Sequence, residues 1–148
     1  MPLLASRVQP LICSNYYNFL LEAVEAARQT IVVLMFDWRR YPNDPSCGVQ
    51  KINQALFAAR RRGVKVRMLI NSSAAAKYFV DLGLEVKEYR GRGLLHSKLV
   101  VIDNNLTILG SHNLTMNALS NNQETSVAIL DKPTALVFSE FFQQLWLL

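Results

Sequence analysis

The chain has 148 residues, 51% of them hydrophobic and 18% charged, with 16 Lys and Arg against 11 Asp and Glu for a net charge of +5. That length and apolar content exclude a disordered chain and predict one compact domain over residues 1–148 with a core of its own. The positive excess points to a polyanionic partner, nucleic acid or anionic lipid headgroups, and does not choose between them.

Met1–Ala5 is too short for a secretory signal, and no apolar run approaches the roughly 18 residues of a membrane span. A soluble, cytoplasmic protein without an integral membrane segment is expected. Residues 7–13 form an edge strand, since Pro10 argues against a central one. Cys13 ends this strand; it and Cys47 lie far apart without metal-ligand spacing and read as free thiols in a reducing compartment. Ser14 or Asn15 caps a helix to about Gln29, with Leu20, Ala23, Val24 and Ala27 as its apolar stripe. Residues 30–36 are a continuous apolar run, as in a strand covered on both faces. The loop 37–48 follows. Its Trp38, Arg39 and Arg40 are assigned to substrate binding by stacking and phosphate contact, the alternative being Trp38 packed as a lid on the core.

A second helix spans Val49 to Arg62, where Arg60–Arg62 complement its C-terminal dipole and Gly63 stops it. Strand 64–70, a short helix capped by Asn71–Ser73, and strand 84–89 complete a βαβ succession. That succession predicts an α/β fold with a mixed, mainly parallel sheet flanked by helices on both faces. Arg90 and Arg92, in the glycine-containing connection 90–93, are expected to line a substrate groove. Beyond them, Leu95–Ile102 reads as a strand, Asp103–Asn105 as a tight polar turn and Leu106–Leu109 as the returning strand. Residues 114–122 read as a helical turn and polar loop, Thr125–Leu130 as a strand. Asp131 caps a last, strongly apolar helix from Pro133 to about Leu147.

The chemistry concentrates in residues 94–113. His96 and Lys98 are two apart, so on a strand they share one face. Ser111 and Asn113 return beside them at the end of the second strand. A histidine nitrogen can attack phosphorus and hold the phosphoryl group covalently, while an ammonium and an amide suit oxygens that gain charge in the transition state. The stretch has no acidic cluster spaced as a metal site, so no metal or cofactor is expected.

His96-Ser97-Lys98, four residues, Asp103, six residues, then Gly110-Ser111-His112-Asn113 resembles the His-x-Lys-x4-Asp-x6-Gly-Ser-x-Asn signature of the phospholipase D superfamily. The order of flanking elements is similar to its small single-motif members, the dimeric bacterial-type endonucleases. The resemblance implies catalysis by His96, Lys98, Asn113 and Ser111. It also implies that Glu124 orients a catalytic histidine, and that Asp103 and Gly110 give structural support. His112 fills the variable position and is assigned to substrate binding, although extended backbone turns it away from a phosphate that Ser111 and Asn113 face. Displacement through a phosphohistidine needs two imidazoles, which a twofold homodimer would supply with one His96 from each subunit. The expected function is a metal-independent nuclease acting on DNA or RNA. The alternatives are a phospholipase or phosphatidyl-transfer enzyme and a catalytically weak nucleic-acid-binding module.

Overall fold

The computed structural model describes residues 7–71 and 73–148. Met1–Ala5 and the Ser72 part of the expected cap lie outside them. In chain order the elements are β1 (Val8–Ile12), α1 (Asn15–Ala26), β2 (Thr30–Met35), α2 (Gly48–Arg61), β3 (Lys65–Ile70), α3 (Ser73–Asp81), β4 (Glu85–Glu88), β5 (Lys98–Ile102), β6 (Leu106–Gly110), a π-helical turn (Asn117–Asn121), β7 (Thr125–Leu130) and α4 (Lys132–Trp146). The strands form one sheet in the order β1-β7-β6-β5-β2-β3-β4.

The sheet is mostly antiparallel, which corrects the expectation of a mainly parallel one. Among the described residues only β2–β3 and β3–β4 pair in parallel. The pairs β2–β5, β5–β6, β6–β7 and β7–β1 are antiparallel. The reason lies in the connections. Helical crossovers join β2, β3 and β4, and a crossover is what a parallel pair requires. After β4 the chain returns without a helix, and a three-residue connection, Asp103–Asn105, joins β5 to β6. Asp103 and Asn104 occupy that turn at φ +54° and +51°, where the Asn105 N–H donates to the Ile102 carbonyl at 3.1 Å. Positive φ at both central positions matches the twist of a tight hairpin, and Asp and Asn tolerate it.

Helices cover both faces. The apolar sides of α1, α2 and α3 bury Ile31, Val33, Met35, Val66, Met68 and Ile70, together with Val100 and Ile102 of β5. The opposite face buries Val32, Leu34, Leu69, Leu99 and Val101 beneath Ala135 and Phe142 of α4. The alternation of β5 is thus read by both layers, which pins its register. Asp131 caps α4, its carboxylate accepting from the Thr134 N–H at 3.0 Å and hydroxyl at 2.6 Å. Arg62 donates to the carbonyls of Val24 and Ala27 at the end of α1. Both cysteines are free thiols. Among the described residues no helix is long and apolar enough to cross a membrane.

Candidate active site

The C-terminal ends of the parallel strands β2 and β3 lie beside the N-terminal end of β5, and the chemistry-bearing residues gather there. Phe36 follows β2, and its N–H donates to the Ser97 carbonyl at 3.0 Å. Asn71 follows β3 and works as a clamp. Its amide donates to the carbonyls of Leu95 (2.6 Å) and Phe36 (3.2 Å), and its oxygen accepts from the Leu95 N–H at 3.3 Å. The segment before β5 is therefore fixed although it is not a strand; β5 begins at Lys98, three residues later than the sequence suggests.

His96 is exposed, with its ring 4.8 Å from that of Phe36 and tilted by 55°. Lys98 Nζ lies 5.0 Å from the centroid of the same phenyl ring, 3.4 Å from His96 Nε2 and 3.5 Å from Nδ1, and donates to the His96 carbonyl at 2.8 Å. Histidine and lysine thus share one aromatic support. Partial burial pushes the Lys98 ammonium down from its ordinary value, and the Glu124 carboxylate opposes this. Phe36 reads in the sequence only as the end of an apolar run and Asn71 only as a helix cap; the one signal of a role at the site is their place just after a strand, where ligand-contacting residues of α/β sheets sit.

Ser111 closes the other side. Its hydroxyl donates to Glu124 Oε1 at 3.1 Å and accepts from the Thr125 N–H at 3.0 Å. Within one chain Glu124 is thus bonded to Ser111, and the structure does not bring it into a hydrogen bond with an imidazole. Gly110 lies opposite Ser126 in the β6–β7 register, and a Cβ there would overlap the Cα and Oγ of Ser126. Close strand approach is what requires the glycine. Asn113 is held by pairing of its neighbour Leu114 with the 37–39 segment, and its Oδ1 accepts from the Asp37 N–H at 3.1 Å. A cavity of about 540 Å³ opens between His96, Lys98, Ser111 and Thr125 and runs onto Leu99, Leu109 and Phe138. Among the described residues no three His, Cys, Asp or Glu side chains group as a metal site.

Other assigned residues lie elsewhere. Asp103 sits at the far end of β5, where its carboxylate accepts from the backbone N–H groups of Arg28, Gln29 and Thr30 at 2.7–3.2 Å. His112 and Trp38, assigned to substrate binding, are both buried, Trp38 in the core as its alternative reading has it. The His112 ring is 0% exposed and stacked on Tyr16 at 4.2 Å, with Nδ1 2.7 Å from Ser126 Oγ and Nε2 2.9 Å from the Cys13 carbonyl. Burial pushes its pKa down, against that carbonyl and Glu124, so the neutral ring is favoured. Trp38 is buried against Phe79 and donates to Asn53 Oδ1 at 2.8 Å. The arginines do not converge on His96 either. Arg39 pairs with Asp37, Arg40 lies over Tyr78, and Arg90 pairs with Glu88 beside a separate cavity under Trp146. Arg92 is exposed in its loop.

The arrangement offers an accessible imidazole, an adjacent ammonium and a hydroxyl–carboxylate pair at a cavity mouth. Such a set can supply a nucleophile and stabilise charge developing on phosphoryl oxygens. Residues 20–146 match the family model described as "Cardiolipin synthase, PLD-like domain". The mitochondrial cardiolipin hydrolase of Mus musculus is 28% identical over 133 residues, covering 86% of this chain and 56% of that protein. A phospholipase D of Rickettsia prowazekii is 29% identical over 139 residues, 87% of this chain and 60% of that one. The chain therefore spans little more than half the length of these curated relatives. Among solved structures, the phospholipase D family member Nuc from Salmonella typhimurium superposes with a TM-score of 0.81 and 26% identity, covering 94% of this chain and 93% of Nuc.

Proposed function

This chain belongs to the phospholipase D-like family, and we propose that it hydrolyses the phosphodiester of a phospholipid headgroup through a covalent phosphohistidine. The observation that carries this reading is the cavity at His96, where Lys98 and Ser111 give way to Leu99, Leu109 and Phe138. A phospholipid presents that same succession, a charged phosphodiester followed by acyl chains. Nucleic acid, the substrate class expected from the 96–113 signature together with the positive charge and small size, calls for a run of unpaired cations tracking a backbone. Arg39 and Arg90 are paired with acids and Arg40 rests on Tyr78. Relatives named as a cardiolipin hydrolase and a phospholipase D support the lipid reading further.

In the mechanism we propose, an imidazole nitrogen of His96 attacks phosphorus. The N–P bond forms as the P–O bond to the leaving alcohol breaks. Lys98 and the Asn113 amide hold the non-bridging oxygens while their charge grows. A second imidazole, protonated at the outset, gives the leaving oxygen its proton. It then takes a proton from water, which attacks phosphorus and breaks the N–P bond. His112 is buried and already bonded at both nitrogens, so the second imidazole is His96 of the partner subunit in a twofold dimer. Val137 and Phe141, exposed on α4 beside Phe138, give an apolar face next to the cavity for that second copy.

The experiment offers phosphatidylglycerol vesicles, single- and double-stranded DNA and RNA to the purified protein and to His96→Ala, each with excess EDTA. Lipid turnover that survives EDTA and falls about a thousandfold or more in the variant is expected. Cleavage of nucleic acid with no lipid turnover would overturn the substrate assignment.

A further inference from the structure

A second cavity, of about 400 Å³, opens where the segment after β2 meets Asn113 and is lined by Asp37, Arg39, Tyr41, Asn113, Thr115 and Asn122, among others. It is joined to the chemistry through two neighbouring residues. Phe36 carries His96 and Lys98 on its ring, and Asp37, the next residue, lines this cavity and holds Asn113. We infer that this chamber receives the leaving alcohol of the phosphodiester and is built for a neutral polyol. The inference rests on the phosphodiesterase reading and adds the class of headgroup.

The hydrogen-bonding inventory of the walls selects that class. The Asn113 oxygen is occupied by the Asp37 N–H, which leaves the amide NH₂ to donate. The Tyr41 hydroxyl accepts from the Met116 N–H at 2.9 Å, and Thr115 Oγ1 accepts from the Ala118 N–H at 3.2 Å. Both hydroxyls therefore keep a hydrogen to donate. Arg39 lies against Asp37 through two contacts of 3.2 and 3.3 Å, so the one guanidinium in the wall is neutralised by the one carboxylate. The chamber thus presents donors and acceptors with no net charge. A polyol hydroxyl both donates and accepts, and matches such walls. A second phosphate would need an unspent cation. A quaternary ammonium would need an unpaired carboxylate or a cage of aromatic faces, and here one tyrosine stands alone with an acid already paired.

The test compares three substrates under identical micellar conditions. Bis(4-nitrophenyl) phosphate reports the chemistry without a polyol, phosphatidylglycerol carries one, and phosphatidylcholine carries a quaternary ammonium. The protein is expected to turn over phosphatidylglycerol at least about tenfold faster, in kcat/KM, than phosphatidylcholine. Asn122→Leu, an exposed substitution that leaves no void, is expected to lower the ratio of phosphatidylglycerol to diaryl ester activity by roughly threefold to tenfold, chiefly through KM. Asn122→Gln is expected to restore part of that ratio. Equal turnover of the two lipids, or a ratio that Asn122→Leu leaves unmoved, would overturn the assignment of the chamber. Hydrolysis of the diaryl ester with neither lipid cleaved would also overturn it. Failure to hydrolyse even the diaryl ester would remove the phosphodiesterase reading, and this inference with it.

Discussion

Asp103 belongs to the signature, yet it stands at the end of β5 away from His96, so its removal should cost stability and spare chemistry. Its carboxylate accepts from three successive backbone N–H groups, those of Arg28, Gln29 and Thr30. Arg28 and Gln29 are exposed, so water replaces much of what Asp103→Ala removes, and only Thr30 is half-buried. The three lost bonds are worth about 2 kcal/mol together. Alanine at φ +54° adds about 1 kcal/mol, because it lacks the short polar side chain that lets aspartate tolerate the left-handed region. A total near 3 kcal/mol corresponds to about 10 °C in Tm for a chain of this size. Asp103→Asn keeps a side-chain oxygen for Gln29 and Thr30 and tolerates positive φ, so it should lose only about 1 kcal/mol. Thermal unfolding followed by circular dichroism measures the loss. Turnover of a soluble diaryl phosphate well below Tm checks that kcat stays within about twofold of the parent value, the ordinary scatter of a change remote from chemistry. A folded Asp103→Ala protein without activity would refute the reasoning, as would an unchanged Tm.

The buried rings and the half-buried ammonium make further predictions. Burial holds the folded-state pKa of His112 below 6.5, so below about pH 6.5 the unfolded chain takes the proton first. Stability from this group is complete above that pH and is lost as pH falls. Scans between pH 7.5 and 5 should therefore show a steeper decline in Tm for the parent than for His112→Gln, and parallel curves would contradict the assignment. Lys98 has its pKa lowered from 10.5 by burial and raised again by Glu124. The alkaline limb of the rate profile should fall below pH 10.5, and Glu124→Gln should move it lower still. A limb that stays put in the variant would separate Glu124 from Lys98.

The signature was legible because it is local. Its spacing is fixed by a tight hairpin, which carries Ser111 back toward the start of β5, while the 37–39 segment holds Asn113. The helices were legible for the same reason, from apolar stripes and caps such as Asp131. The direction of the sheet was not. β1 pairs with β7, where Val8 faces Ile129 and Ile12 faces Thr125. Nothing within a short window of sequence announces a partner so far along the chain. Alternation also shows which residues share a face, not what lies over that face. Trp38 stands among arginines in a breaker-rich loop, yet an asparagine on α2 satisfies its indole and the core takes it in. His112 lies inside the signature, and Tyr16 of α1 covers it. Charge and place in the chain suggest a substrate groove for the arginines of the 37–48 and 90–93 segments, but acidic neighbours two residues away occupy Arg39 and Arg90.

The central claim is that His96 forms a covalent bond to phosphorus. Trapping that bond tests it most directly: phosphorus-labelled phosphatidylglycerol is mixed with the protein, turnover is stopped within milliseconds in alkali, and the label retained on protein is mapped by peptide mass. The account predicts label on His96 in the parent and none in His96→Ala. Full turnover with no label retained, together with activity surviving in His96→Ala, would contradict it.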